Sequence, residues 1–247
     1  MKKEIKILII GESCQDVFEY GVSERLCPEA PVPVFNPIKT VANGGMAKNV
    51  HRNVQSIGAI SDLVTNKNWT EITKTRFVDY KTNHMFMRLD KNDNEYGKCN
   101  INSIDFDIYD AVIISDYNKG FLPKNIIKDI SNSHPLTFLD TKKILGSWAN
   151  NITFIKINNY EYRRTKHTLS ETLNKKLIIT TGPDGCLHND IIYPVPQVEI
   201  KDSSGAGDTF IAGLVFKYVE TGNIGESILF ANKCATDVVQ KRGVTTV

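Results

Sequence analysis

Five short runs of apolar, largely β-branched residues recur along the chain, at Ile5–Ile10, Ala111–Ser115, Leu136–Asp140, Ile152–Ile155 and Leu177–Thr181. Each is close to continuously hydrophobic rather than alternating, which is the pattern of strands covered on both faces. Between them the apolar positions switch to a helical period. Ala47, Val50, Val54 and Ile57 form one stripe ended by Gly58, and Pro123 opens a second helix near Ile126–Ile130, as suits its preference for a first turn. Two further helices, Thr209–Val219 and Ile224–Gln240, are separated by Thr-Gly-Asn. Repeated strand–helix units predict an α/β fold, a mainly parallel sheet with helices on both faces.

Two stretches break this rhythm. Pro-Val-Pro-Val-Phe at 31–35 and the alternating Thr75–Asp90 region read as exposed antiparallel strands, with Arg76, Val78 and Tyr80 on one face and His84, Phe86 and Arg88 on a second strand. A small sheet rising off the main domain puts such residues over the C-terminal strand edges, where open α/β sheets bind ligands. The expected organisation is one domain over 1–247, with lid strands from about 12–40 and 73–100.

Composition narrows the picture. A chain of 247 residues can bury a real core, and 30 basic against 28 acidic residues leave it nearly neutral. The basic residues are dispersed, so no nucleic-acid footprint is expected. Cys14, Cys27, Cys99, Cys186 and Cys234 lack the paired spacing of a zinc site, and their odd number points to reduced thiols in a cytoplasmic compartment. The first apolar run spans only six residues, too short for a secretion signal, and nothing approaches a membrane span.

The chemistry concentrates in Asp202-Ser-Ser-Gly-Ala-Gly-Asp-Thr209. Glycines before an apolar-periodic segment aim free N–H groups and a helix dipole at one volume, with the Asp208 carboxylate beside it. Phosphoryl transfer needs both: donors for the charge on the transferring group and a base for the attacking hydroxyl. The plainer alternative is that Asp208 only caps the helix and the glycines only turn the chain. No Gly-x-x-x-x-Gly-Lys-Ser/Thr occurs, which excludes a P-loop, and the third glycine of a dinucleotide fingerprint is missing.

These residues do not stand alone. Gly11-Glu-Ser-Cys-Gln-Asp16, Pro28-Glu-Ala-Pro-Val-Pro-Val34, Gly44-Gly-Met-Ala-Lys-Asn49, Thr73-Lys-Thr-Arg76, Met87-Arg-Leu-Asp90, Ser115-Asp-Tyr-Asn-Lys-Gly120, Asp140-Thr-Lys142, Asn158-x-x-Glu161, Thr180-x-Gly-x-x-Gly185 and the octapeptide follow one another in order. Together they resemble the PfkB (ribokinase-like) carbohydrate kinases, and within them the kinase domain of heptose-7-phosphate kinase/adenylyltransferase enzymes. The resemblance implies a ribokinase-like three-layer fold with a small antiparallel β lid. It implies Asp208 as catalytic base, the Gly205, Ala206 and Gly207 amides as anion hole, and Asp16, Gly44, Gly45 and Asn49 as holders of sugar hydroxyls. It further implies ATP bound near Thr180, Gly182, Gly185 and Asn232, and Mg2+ held mostly through water by Asn158 and Glu161. A monovalent cation and a homodimer formed through the lid are compatible with it. Lys74, Arg76 and Arg88 are assigned to a phosphorylated sugar, because guanidinium forks match phosphate, with Lys119 as a further contact. Equally, basic residues on a lid strand serve simply to keep an exposed edge soluble.

Departures from the pattern carry their own expectations. Only Asn-Lys-Asn-Trp-Thr-Glu bridges the strand ending near Thr65 to the lid, so an edge βα unit is missing near 66–72. Glu12 replaces the usual aspartate, Lys48 stands where a small residue is common, and no adenylyltransferase domain is expected after Val247. The expected activity is ATP-dependent phosphorylation of a sugar or sugar phosphate, with D-glycero-D-manno-heptose 7-phosphate giving the 1,7-bisphosphate. Another acceptor (hexose, hexose phosphate or nucleoside), or a non-catalytic nucleotide- or sugar-binding role, is the alternative.

Overall fold

A computed structural model describes residues 4–247. Its large sheet has β4 (Ile60–Val64) at one edge with β1 (Lys6–Gly11) next to it. On the other side follow β7 (Ala111–Asp116), β8 (Thr137–Thr141), β9 (Phe154–Asn158) and β10 (Leu177–Thr180), all paired in parallel. A short antiparallel hairpin, β11 (Cys186–His188) and β12 (Ile191–Tyr193), finishes that edge. The predicted run at 152–155 is displaced to Phe154–Asn158, the others lie within a residue or so of their expected places, and the parallel core is as expected.

Period-two alternation along the strands divides the core. Leu8, Ile10, Val112, Ile114 and Leu139 face α2 (Lys124–Ser133), against Ile127 and Ile130. Ile7, Ile9, Ala111, Ile113 and Phe138 face α1 (Ala47–Ser56), α5 (Ala206–Thr221) and α6 (Ile224–Val239). Both faces are therefore covered, which is why the strands carry no polar alternation. Pro123 sits at the N-cap of α2, one position before the predicted first turn. Two short helices, α3 (Asn159–Thr165) and α4 (Glu171–Asn174), link β9 to β10.

The lid is a four-stranded sheet of β3 (Asn36–Met46), β2 (Ser13–Val22), β5 (Thr73–Asp79) and β6 (Met85–Lys91), in that order. Two of its pairings are antiparallel, while β2 runs parallel to β5. The parallel pair has a simple origin: β2 continues from β1 and β5 from β4, and those neighbours leave the large sheet in the same direction.

Two expectations need correction. Residues 31–35 form no strand, only an isolated bridge from Pro33 to Leu26, since prolines cannot donate to a ladder. Gly44 and Gly45 lie near the end of β3, opposite Gln15 and Cys14. Residues 92–100 leave the lid, and Tyr96 and Cys99 pack into the core of the large domain.

Candidate active site

The C-terminal ends of β1, β7, β8, β9 and β10 open toward the lid, and α5 begins beside them. Helix α5 starts earlier than its apolar period suggests. Gly205, at φ 80°, takes the N-cap position and Asp208 falls in the first turn, so Asp208 is not the cap. Its carboxylate is buried and doubly held: Oδ2 accepts from Asn49 Nδ2 at 2.9 Å, and Oδ1 accepts from the Tyr117 hydroxyl at 2.7 Å. Burial pushes the Asp208 pKa up to about 6, against the Asn49 and Tyr117 hydrogen bonds, and the nearby Asp140 adds to the rise. A carboxylate so poised is a competent base near neutral pH.

Glycine is required here for reasons of space. A Cβ on Gly205 would lie 2.6 Å from Asn49 Nδ2, and one on Gly207 2.8 Å from Lys156 Nζ. The amides of Gly205 and Gly207 have no partner among the described groups, whereas Ala206 N–H makes a long turn bond of 3.3 Å to Ser203 O. Two of the three expected anion-hole donors are thus free.

Lys156 was not anticipated from sequence. It is buried in the middle of β9 and donates to Asp140 Oδ2 at 2.8 Å. Burial opposes its charge, yet Asp140, with help from Glu161 and Asp208, holds its pKa above the usual lysine range. A lone lysine extending the apolar run past Ile155 was the available signal.

Asp16 lies in β2 and is buried. Its Oδ1 receives Arg76 Nη1 at 2.8 Å, and a Cβ on Gly45 would sit 2.6 Å from its Oδ2. On Gly44 the same atom would meet the Lys48 stem at 2.7 Å. Lys48 is drawn over the Trp69 ring at 3.9 Å, so the short 65–72 connection reaches the site loop. Lys74, Arg76 and Arg88 share the site-facing side of the lid by register. Lys74 donates to Asp93 at 2.8 Å, and Lys119 binds the other oxygen of the same carboxylate. Burial works to raise the Asp93 pKa, but Lys119, Lys74 and the Tyr96 hydroxyl hold it at about 2. Asp93 sits in an Asn-Asp-Asn stretch that reads as solvated loop, and nothing in the sequence marks it. Arg88 is exposed and forks onto Asp90 at 2.7 and 2.8 Å. Glu12, also without an assigned role, accepts from the backbone N–H groups of Tyr117 and Lys119 at 2.8 and 3.1 Å and so fixes their loop.

Thr180, Gly182, Gly185 and Asn232 line one cavity of about 440 Å3 that reaches Ala206 and Gly207. Gly185 is needed by the hairpin itself, since its Cβ would fall 2.0 Å from Tyr193 O. Asn232 donates to that same carbonyl at 2.9 Å. Asn158 pairs across the strands with Thr180 but forms a capping box with Glu161 at the start of α3. The box uses Asn158 Oδ1 and Glu161 Oε2, leaving Glu161 Oε1 available. Among the described residues no cluster of three or more His, Cys, Asp or Glu could hold a metal. A sparse set of oxygen donors suits magnesium, which keeps several of its waters, and does not suit a caged ion.

Comparison with known proteins agrees with this architecture. Residues 132–247 match the family model described as pfkB family carbohydrate kinase. The Bifunctional protein HldE of Helicobacter acinonychis is 31% identical over 293 residues, covering 96% of this chain and 63% of its own length. The chain therefore spans a little under two thirds of that relative. A ribokinase from Thermotoga maritima superposes with a TM-score of 0.73 at 15% identity, covering 97% of this chain and 94% of its own. An Arabidopsis thaliana ribokinase complexed with ribose and ATP gives 0.70 at 14%, with 97% and 94% covered. The described residues include no helix long and apolar enough to cross a membrane. The second half of the chain thus matches the pfkB family of carbohydrate kinases, and the fold throughout is ribokinase-like.

Proposed function

We propose that the protein is a cytoplasmic, ATP-dependent kinase for a hydroxyl of a sugar phosphate, with D-glycero-D-manno-heptose 7-phosphate converted to the 1,7-bisphosphate. One observation carries the kinase reading: a buried carboxylate, Asp208, lies in the first helical turn directly after two free glycine amides, at the edge of a cavity of nucleotide size. The acceptor hydroxyl gives its proton to Asp208, its oxygen bonds to the γ-phosphorus, and the bridging oxygen leaves with ADP. Gly205 and Gly207 N–H, with Lys156 alongside, meet the charge on the group in transit. Magnesium, when bound with the nucleotide, neutralises phosphate charge; Glu161 and Asn158 are the residues to hold its waters.

The choice of a phosphorylated acceptor rests on the density of cations around the lid, where Lys74, Arg76, Arg88 and Lys119 face the strand ends. The heptose itself rests on the resemblance in motif order and on similarity to the HldE proteins. A second copy of the chain is the proposed partner of the lid's outer face, where Ile38, Met87 and Leu89 are exposed. Light scattering that gives a monomer mass would refute that pairing.

The deciding assay supplies magnesium-ATP with heptose 7-phosphate, fructose 6-phosphate, ribose and a nucleoside, and follows ADP release. Heptose 7-phosphate is expected to give the highest kcat/KM. Asp208→Asn is expected to lower kcat by roughly 10²- to 10⁴-fold with nucleotide affinity retained. Near-normal turnover in that variant would remove the mechanism.

A further inference from the structure

Five lysines converge around the site, and four of them are held in ion pairs. Lys74 and Lys119 share Asp93, Lys143 pairs with Asp116, and Lys156 pairs with Asp140. Lys142 differs. Its ammonium sits 4.0 Å over the ring of Tyr117, and it has no carboxylate partner among the described residues. Tyr117 is the residue whose hydroxyl holds Asp208 Oδ1 at 2.7 Å, so the Lys142 charge lies one ring away from the base.

Its surroundings place Lys142 between the two halves of the site. The charges that act on it are Asp140 and Glu161 from the nucleotide side, Lys74 from the lid, and Asp208 from α5. Asp140, two residues before it, anchors Lys156 against Gly207 of the amide cradle. Although the residue as a whole is exposed, desolvation at its ammonium end lowers its pKa, against Asp140 and Glu161 and with Lys74 adding to the fall. A lysine locked in an ion pair brings little net charge to an incoming phosphate. One resting on a ring brings all of it, and a cation–π contact is a weak hold that a doubly charged oxygen set can outcompete.

On the kinase reading above, we propose that Lys142 is a catalytic residue: it leaves the Tyr117 ring to contact the phosphoryl group passing from nucleotide to sugar. The transfer is the one already written, in which the acceptor oxygen–phosphorus bond forms, the bond to the bridging oxygen breaks and Asp208 takes the proton. Lys142 contributes charge and gains or loses no proton. Because its contact is with the group in transit, removing it should spare the ground state.

The test compares wild type with Lys142→Met, Lys142→Gln and Lys142→Arg, first by titration calorimetry with magnesium-ADP in the absence and presence of aluminium fluoride, a mimic of the phosphoryl group in flight. ADP alone should bind all four within about threefold. The tightening produced by fluoride should fall at least about tenfold in the Met and Gln variants and be partly restored by Arg. Turnover should fall by roughly 10²- to 10³-fold with KM values little changed. Equal tightening in wild type and the Met and Gln variants overturns the proposal. So does tightening absent from wild type, or a Met variant that only shifts the acid limb of the pH profile, since that would make Lys142 a prop for Tyr117. Fluoride tightening that depends on Lys142 in a protein inactive toward every sugar offered would remove the acceptor assignment and leave this role standing.

Discussion

Activity and stability should respond to pH in opposite senses at one residue, Asp208. Its pKa is raised from 3.8 to about 6, chiefly because burial disfavours the charged form, while Asn49 and Tyr117 offset part of that cost. Asn49 (α1), Tyr117 (after β7), Asp140 (β8), Lys142 (after β8) and Lys156 (β9) are the polar and charged groups around it. A carboxyl with a raised native pKa binds more protons folded than unfolded between those two values. Its contribution to stability is therefore complete below about pH 3.8 and is lost as pH rises through about 6. A shift of about two units corresponds to about 3 kcal/mol, of which about 2 kcal/mol falls between about pH 4.5 and 7.5. Catalysis needs the ionised form, so kcat/KM should climb with pH through the same region.

Other groups titrate as well, and the measurement has to isolate this one. Urea unfolding of wild type and Asp208→Asn across about pH 4.5–7.5 gives a difference curve in which the shared groups cancel. Wild type should lose about 2 kcal/mol relative to the variant as pH rises, whatever the absolute offset between them. A flat difference curve, or one of the opposite slope, would show that the folded protein does not hold this carboxylate at a cost. An acid limb of kcat/KM near 4 instead of 6 would do the same through kinetics.

Three further outcomes follow from the same contacts. Gly205→Ala forces a side chain into a left-handed backbone and against Asn49 at 2.6 Å, and should cost about 2–4 kcal/mol in denaturation together with most activity; a loss below about 0.5 kcal/mol would refute the packing argument. Asp93→Asn leaves Lys74 and Lys119 without their shared anion and should cost about 1–3 kcal/mol at neutral pH. Because the Asp93 pKa is lowered, wild type's advantage over this variant should be intact above about pH 4 and vanish as pH falls through about 2, which circular dichroism of both proteins can follow. Arg88→Ala, at an exposed pair, should change stability by less than about 1 kcal/mol yet raise KM for a phosphorylated acceptor far more than for a neutral one, and equal effects on both would remove Arg88 from phosphate recognition.

The parallel sheet was legible in the sequence because strands buried on both faces leave a physical mark, unbroken apolar runs. The lid was harder to read, since its outer strands β3 and β6 are mainly exposed and its β2–β5 pairing joins segments far apart in sequence. Pro31–Phe35 carries the alternation of a strand without the N–H groups to make one, and β2, with Glu19 and Gly21 among its apolar positions, gives no run at all. Its extended form is imposed by pairing with β3 and β5 on either side, a tertiary cause that no local window contains.

The site shows the same division in sharper form. Glycines at 205, 207 and 45 were recognisable, yet the reason for each is a side chain far away in sequence: Asn49, Lys156 and Asp16. What the sequence could not supply was the pairing of charges. Arg76, Lys74 and Lys119 all read as cations waiting for a phosphate, but each is already tied to Asp16 or Asp93. An acceptor phosphate must therefore compete with those carboxylates, and its binding energy is a difference between two ion pairs and not the worth of one. That requirement favours a dianionic ligand over a neutral one only where the competing carboxylate is itself partly solvated. Asp93, at 19% side-chain exposure, and Asp90, at 32%, meet that condition better than Asp16 at 12%, so phosphate selectivity should be seated at the Lys74–Asp93–Lys119 and Arg88–Asp90 pairs, with Arg76 left to hold Asp16 in place for the sugar.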